Sequence, residues 1–140
     1  MSFYLDTNFI VSLFFDDAHS QRTHKWMESP PRSLSASAWL ETEFHALVGR
    51  RERIGAISAD IAGEVRRQFK ADILDRGERL ALTASAGVRA AALARDPVLK
   101  LSAADALHLA LCVDHGRKLV TFDARLATAV VVCGCAVENI

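Results

Sequence analysis

Ser2-Phe3-Tyr4-Leu5-Asp6-Thr7-Asn8 is an apolar run that stops on a carboxylate and passes at once into polar, helix-capping residues. Three consecutive apolar side chains suit a short strand buried on both faces, which leaves Asp6 at its carboxyl end. In open α/β sheets ligands bind at that edge, where the strand stops and the next helix presents free N–H groups. Taken alone, Asp6 would do no more than open a turn or cap that helix. Three further carboxylates at comparable positions, Glu43, Asp105 and Asp123, give it a second meaning.

Outward from this stretch the chain alternates strand and helix. Residues 9–15 read as a short buried helix broken at Asp16-Asp17, and a second helix runs to Met27, stopped by Ser29-Pro30-Pro31. Residues 34–37 form a second strand whose Ser-rich exit suits a helix N-cap. Over 38–49, Trp39, Leu40, Phe44, Leu47 and Val48 share one apolar arc at about 100° per residue. Glu43 falls inside that arc, whereas Glu41 lies on its polar margin. A carboxylate in an apolar stripe is costly unless it is paired, protonated or bound to a cation, so Glu43 is the one that needs a reason. Arg50-Arg51-Glu52-Arg53 reads as a basic turn. Ile57, Ile61, Val65, Phe69 and Ile73 then mark a long amphipathic helix, with Arg66, Arg67 and Lys70 on its polar side. The plain reading of this basic hairpin is a solvated surface, and it bears on function if it flanks an acidic pocket.

A third strand is expected over 79–83, and an Ala-rich helix must end before Asp96-Pro97, because a residue preceding proline is driven from the α region. Residues 101–113 are apolar almost all round and should form the most buried helix. Ser102 and Asp105 make an S-x-x-D capping box, which explains the position of Asp105 but not its apolar neighbours Leu109 and Cys112. After His115-Gly116, the run from Lys118 to Asp123 repeats the opening pattern of apolar strand and terminal aspartate. Asp123 also suits a helix cap. The helix that follows reaches Cys133 with Gly134 as its C′ residue, and a last strand runs through Val137.

With 140 residues, one domain spanning 1–140 and a single core are expected. No apolar run approaches the ~20 residues needed to cross a bilayer, and Met1-Ser2 leads into the first strand without a secretory leader. No membrane association and a cytoplasmic location are therefore expected. Cys112, Cys133 and Cys135 are odd in number and lack C-x-x-C spacing, so they read as packing thiols of a reducing compartment. Net charge is zero, and any attraction for polyanions must come from local clusters.

Strands alternating with helices imply a parallel sheet covered on both faces, an α/β fold in which Asp6, Glu43, Asp105 and Asp123 converge on one edge. Carboxylates at about 5 Å spacing repel by roughly 3 kcal/mol per pair at an effective dielectric near 20. Such a cluster must take up protons or bind cations. Oxygen donors without nearby Cys or His favour Mg2+ or Mn2+. Paired ions of this kind serve phosphodiester hydrolysis, which points to a metal-dependent nuclease.

Y-L-D-T-N at Asp6, S-A-W-L-E-T-E-F with Glu43, S-A-A-D-A-L-H-L-A at Asp105 and T-F-D-A-R-L-A at Asp123 resemble the PIN-domain ribonucleases over essentially the whole chain. The small VapC-type toxins of toxin–antitoxin pairs are the nearest in kind. The resemblance implies a three-layer α/β/α sandwich with a short, mostly parallel sheet, Mg2+- or Mn2+-dependent cleavage of single-stranded RNA, a homodimer, and inhibition by a cognate antitoxin. By the same resemblance Asp6, Glu43, Asp105 and Asp123 are the catalytic, metal-binding acids, Asn8 is a supporting polar group, and Thr121 orients Asp123. His108 matches a common family position, and its place one turn after Asp105 favours a buried hydrogen-bonding role. Arg50, Arg51, Arg53, Arg66, Arg67 and Lys70 would steer the RNA backbone.

Other readings fit less well. A phosphotransferase of the haloacid-dehalogenase type wants a second aspartate where Asn8 stands, and a response-regulator receiver wants paired acids after its first strand. A non-catalytic PIN-fold RNA-binding or scaffold protein would not need all four acids.

Overall fold

The computed structural model describes residues 1–30 and 32–140; Pro31, part of the expected Ser29-Pro30-Pro31 stop, lies outside them. Five strands, β1 (Ser2–Leu5), β2 (Ser33–Ser37), β3 (Glu78–Leu80), β4 (Lys118–Val120) and β5 (Val137–Glu138), form one sheet in the order β3-β2-β1-β4-β5. All four pairings are parallel, with Phe3 opposite Leu34 on one side and opposite Lys118 on the other. Between the strands lie α1 (Thr7–Phe14), α2 (Ser20–Met27), α3 (Ala38–Arg53), α4 (Ala59–Phe69), α5 (Ala84–Arg95), α6 (Ala103–His115) and α7 (Ala124–Val132).

Successive strand residues point to opposite faces, and Phe3, Tyr4 and Leu5 are all buried, so helices cover the sheet on both sides. On one side Phe3 meets Trp26 of α2 edge-on at 5.3 Å, and Phe9 of α1 meets the same indole at 5.3 Å. On the other side Tyr4 lies against His108 of α6. The result is the expected α/β/α sandwich. Among the described residues no helix is long and apolar enough to cross a membrane.

Several sequence expectations need correcting. Arg50-Arg51-Glu52-Arg53 is not a turn, because α3 continues through Arg53, with Arg50, Arg51 and Arg53 in its last turn where the carbonyl dipoles favour cations. The four-residue spacing after Ile57 is only partly real: Ile61 is exposed and Ala62 takes its inward place, while Val65, Phe69 and Ile73 stay buried. A spacing of four drifts around an α-helix, and the chain accommodates it by loosening into a π-helical turn at Lys70–Leu74. Phe69 then stacks on Phe44 of α3, with ring centres 4.1 Å apart. The third strand begins at Glu78 and ends at Leu80, earlier than its alternation suggests. Just before it, Gly77 is wedged between the π-helical turn and β2, where a Cβ would come within 2.7 Å of the Ile73 carbonyl oxygen and 3.3 Å of that of Leu34. The remaining boundaries follow their punctuation: Ser37, Ser58, Thr83 and Ser102 each cap the next helix with a hydroxyl, and Gly116 closes α6 at φ 60°.

Candidate active site

β1 is the point at which the sheet order reverses: the chain builds outward through β2 and β3, then returns to place β4 on the other side. A crevice must open between the carboxyl ends of β1 and β4, since the helices leaving them diverge. The Asp6 N–H donates to the Val120 carbonyl at 2.9 Å, tying the two strand ends together. An open cleft of about 540 Å³ lies there, and Asp6, Glu43, Asp105 and Asp123 all line it.

Each acid is held by its own element. Asp6 caps α1; its carboxylate accepts from the Thr7 N–H at 2.7 Å and from the Thr121 hydroxyl at 2.7 Å. Burial pushes its carboxyl up, and His108 with these two hydrogen bonds only partly counters that. Glu43, on the inward side of α3, accepts from the Thr7 hydroxyl at 2.7 Å and pairs with His108 Nε2. Burial raises this carboxyl too, but the hydrogen bond and charge of His108, with Thr7, outweigh it and leave Glu43 below the ordinary range. Asp105 stands in the first turn of α6, its N–H donating to Ser102 Oγ at 3.1 Å. Burial drives its carboxyl up, the Ser102 hydroxyl and His108 counter this only in part, and the neighbouring Asp123 and Glu43 carboxylates add to the rise. Asp123 caps α7 through the N–H groups of Arg125 and Leu126 at 2.8 and 3.0 Å. It stands three residues beyond β4, so it belongs to the cap and not to the strand end.

The supporting residues also fall at the cleft. Thr121 Oγ1 donates to Asp6 and accepts the Asp123 N–H at 3.0 Å, so it fixes Asp6's carboxylate and Asp123's backbone, and it does not bond to the Asp123 carboxylate. Asn8 holds the same segment, accepting from the Phe122 N–H at 3.3 Å and donating to Thr121 at 3.4 Å. His108 is only 1% exposed and sits beneath Glu43. Its Nδ1 lies 2.9 Å from the Tyr4 hydroxyl, which lies 2.8 Å from Ser37 Oγ. An ionised Glu43 only accepts, so Nε2 donates to it; in a neutral ring Nδ1 then accepts from Tyr4. Tyr4 in turn accepts from Ser37, whose oxygen also takes the Leu40 N–H at 3.1 Å.

Sequence reasoning missed Thr7, Tyr4 and Asp17. Thr7 joins two of the acids and lay in plain view inside D-T-N. Tyr4 read as one more apolar residue of β1, and only its hydroxyl hinted at more. Asp17 lines the cleft but is engaged locally, accepting from Ser12 Oγ and the His19 N–H at 2.7 Å each.

The basic residues collect elsewhere. Arg66, Arg67 and Lys70 line a second cleft of about 530 Å³ with Arg79, Glu41 and His45. Helix α3 divides the two clefts, presenting Glu41 and His45 to this one and Glu43 and Leu47 to the acidic one. Arg66 pairs with Glu52 at 3.3 Å, Arg67 with Glu64, Lys70 with Asp75 at 2.8 Å, and Glu41 with Arg79. Arg50 and Arg53 are exposed, and Arg51 lies over the Phe15 ring at 4.2 Å.

No Lys or Arg among the described residues lines the acidic cleft. Nor, among those residues, do three His, Cys, Asp or Glu side chains stand close enough to cage one ion. The donor set nevertheless fits Mg2+ or Mn2+ in kind. It is all oxygen and lines an open cleft, with Asp6 buried in its floor, and Mg2+ is commonly held by one or two carboxylates with water and substrate phosphate completing the shell.

A comparison with curated proteins finds no match. Among solved structures, FitAcB from Neisseria gonorrhoeae superposes with a TM-score of 0.70 at 18% identity, over 98% of this chain and 96% of that one. The sarcin-ricin loop cleaving toxin VapC20 of Mycobacterium tuberculosis gives 0.70 at 22% identity, over 91% and 94%. A toxin–antitoxin complex from Klebsiella pneumoniae gives 0.67 at 17% identity, over 97% and 95%. At these identities the likeness establishes a shared fold. The family model of the PIN domain matches residues 3–131. A match that runs from β1 into α7 makes this chain a member of the PIN domain family.

Proposed function

We propose that the protein is an endoribonuclease that hydrolyses phosphodiester bonds of single-stranded RNA with Mg2+ or Mn2+, and that it is the toxin of a toxin–antitoxin pair. One observation carries the reading: four carboxylates from four separate segments line one cleft at the sheet's switch point, with no Lys or Arg among its described lining residues. A folded domain is stable by only about 5–15 kcal/mol, so this concentration of charge is understandable as a cation site.

Asp6, Glu43, Asp105 and Asp123 would hold the ion or ions. When bound, a divalent ion lowers the pKa of water and offsets charge on the phosphate. The chain's own contribution is positioning. Thr7 and Thr121 fix Asp6 by two hydrogen bonds, Thr7 and His108 fix Glu43, and the first turn of α7 fixes Asp123. Acids restrained in this way do not reorganise during the reaction. Asn8 keeps the Thr121–Phe122 segment in register. Arg50, Arg51, Arg53, Arg66, Arg67 and Lys70 would draw in the RNA backbone from the far side of α3, where the ion pairs of Arg66, Arg67 and Lys70 are exposed, weak and exchangeable for phosphate.

The toxin assignment rests on the company the fold keeps, which includes a structure described as a toxin–antitoxin complex and another as a loop-cleaving toxin. A cognate antitoxin and a homodimer belong to the same reading. The test is cleavage of single-stranded RNA by the purified chain in Mg2+ or Mn2+, with EDTA and Asp6→Asn as controls. Cleavage should need the metal and fall by at least about 100-fold in Asp6→Asn. Full activity in that variant, or in EDTA, would refute the assignment.

A further inference from the structure

The acidic cleft has an aromatic wall that the hydrolysis itself does not require. Phe9, fully buried, is stacked on Phe122 at 5.8 Å and 23°, and Phe122 is stacked on His19 at 4.2 Å and 11°. This column of three rings starts in the core and ends at His19 on the cleft wall, where both His19 and Phe122 are half-buried. Among the described residues no further ring lies on His19. The His19 ring is also held at its edge, since Arg22 Nη2 lies 2.7 Å from Nδ1 while the same guanidinium lies over Phe122 at 5.0 Å, and the His19 N–H is tied to Asp17. A planar π-face is thus held beside the acids by contacts that prevent it from collapsing.

We propose that His19, backed by Phe122, is a nucleobase-stacking subsite that receives an unpaired base of the RNA strand whose phosphate lies at the acids. Single-stranded RNA exposes base faces that a duplex hides, and side-chain rings stack on any of them. Such a platform selects single strands over duplex and places the backbone without reading sequence. This inference rests on the ribonuclease reading.

The test is binding of a short single-stranded oligoribonucleotide carrying 2-aminopurine, with Ca2+ in place of Mg2+ or Mn2+ so that the acids are neutralised without turnover, to the wild-type chain, His19→Ala and His19→Phe. Stacking should quench the fluorophore on binding to wild type. His19→Ala should weaken binding by about 5- to 150-fold and remove the quench. His19→Phe, which also lacks the Arg22 contact but keeps a ring, should retain both. Walking one abasic nucleotide along the oligomer should find a position at which the His19→Ala penalty disappears. Wild-type affinity and quench in His19→Ala, alongside intact metal-dependent cleavage, would overturn the stacking subsite and leave the nuclease reading standing. Loss of binding in both variants would overturn it in favour of the Arg22 contact. A wild-type chain that neither binds nor cleaves RNA would remove both readings.

Discussion

Replacing Glu43 and His108 singly and together would measure the contact on which the site's geometry turns. His108 is 1% exposed and the Glu43 side chain 23%, so their hydrogen bond is largely shielded from water. A hydrogen bond to an ionised group contributes about 1.5–3 kcal/mol net. Glu43's partial exposure and its second donor, Thr7, place the value in the lower half of that range. His108→Ala adds the loss of a buried ring and leaves Tyr4 with Ser37 alone, so it should destabilise by about 2–4 kcal/mol. Glu43→Ala leaves the buried Nε2–H only the long contact to Thr7 Oγ1 at 3.4 Å, at about 1–3 kcal/mol. The double variant should lose less than the sum, with a coupling of about 1.5–2 kcal/mol in a urea-denaturation cycle in EDTA. A coupling below about 0.5 kcal/mol would mean that the two side chains do not hold each other, and the account of how Glu43 is oriented would fail.

Asp6→Asn should stabilise the metal-free protein by about 0.5–2 kcal/mol at neutral pH, because it removes a buried charge while keeping an acceptor for the Thr7 N–H; a lower melting temperature than wild type in EDTA would contradict this. Gly77→Ala should cost about 1–3 kcal/mol, since the added methyl meets backbone carbonyls that cannot swing aside, and an unchanged urea midpoint would show that the π-helical turn yields. Glu138 anchors the edge strand β5 by accepting from Trp26 and Arg32 at 3.2 Å each and from Lys118. The Lys118 hydrogen bond leads in holding its carboxyl below the ordinary range, so its stabilisation is complete above the unfolded glutamate value and lost as pH falls through the lower folded one. Glu138→Gln should therefore melt lower than wild type at pH 7 and converge with it in acid; a gap that persists in acid would point to packing instead.

Much of the fold was legible because Asp6 and Ser37 mark where β1 and β2 stop and the next helix begins, and because Ser102 and Asp123 each announce the helix that follows. Those are local signals, carried by one or two side chains. Glu43 was legible for a different reason, as a charge in an apolar stripe. What the chain kept hidden depends on distant partners. Nothing near Tyr4 in sequence marks its hydroxyl as polar, because Ser37 and His108 meet it only after the sheet forms. The extension of α3 through four charged residues was masked by composition, since solvated helix and solvated turn use the same side chains. The π-helical turn was masked by a four-residue repeat that looked regular on paper.

The bonded series from Ser37 through Tyr4 and His108 to Glu43 leaves the start of α3, crosses β1 and α6, and returns to α3. A residue of the deep interior is therefore linked to the mouth of the cleft, and swapping Tyr4 for phenylalanine, conservative by volume, would be felt two bonds away at Glu43.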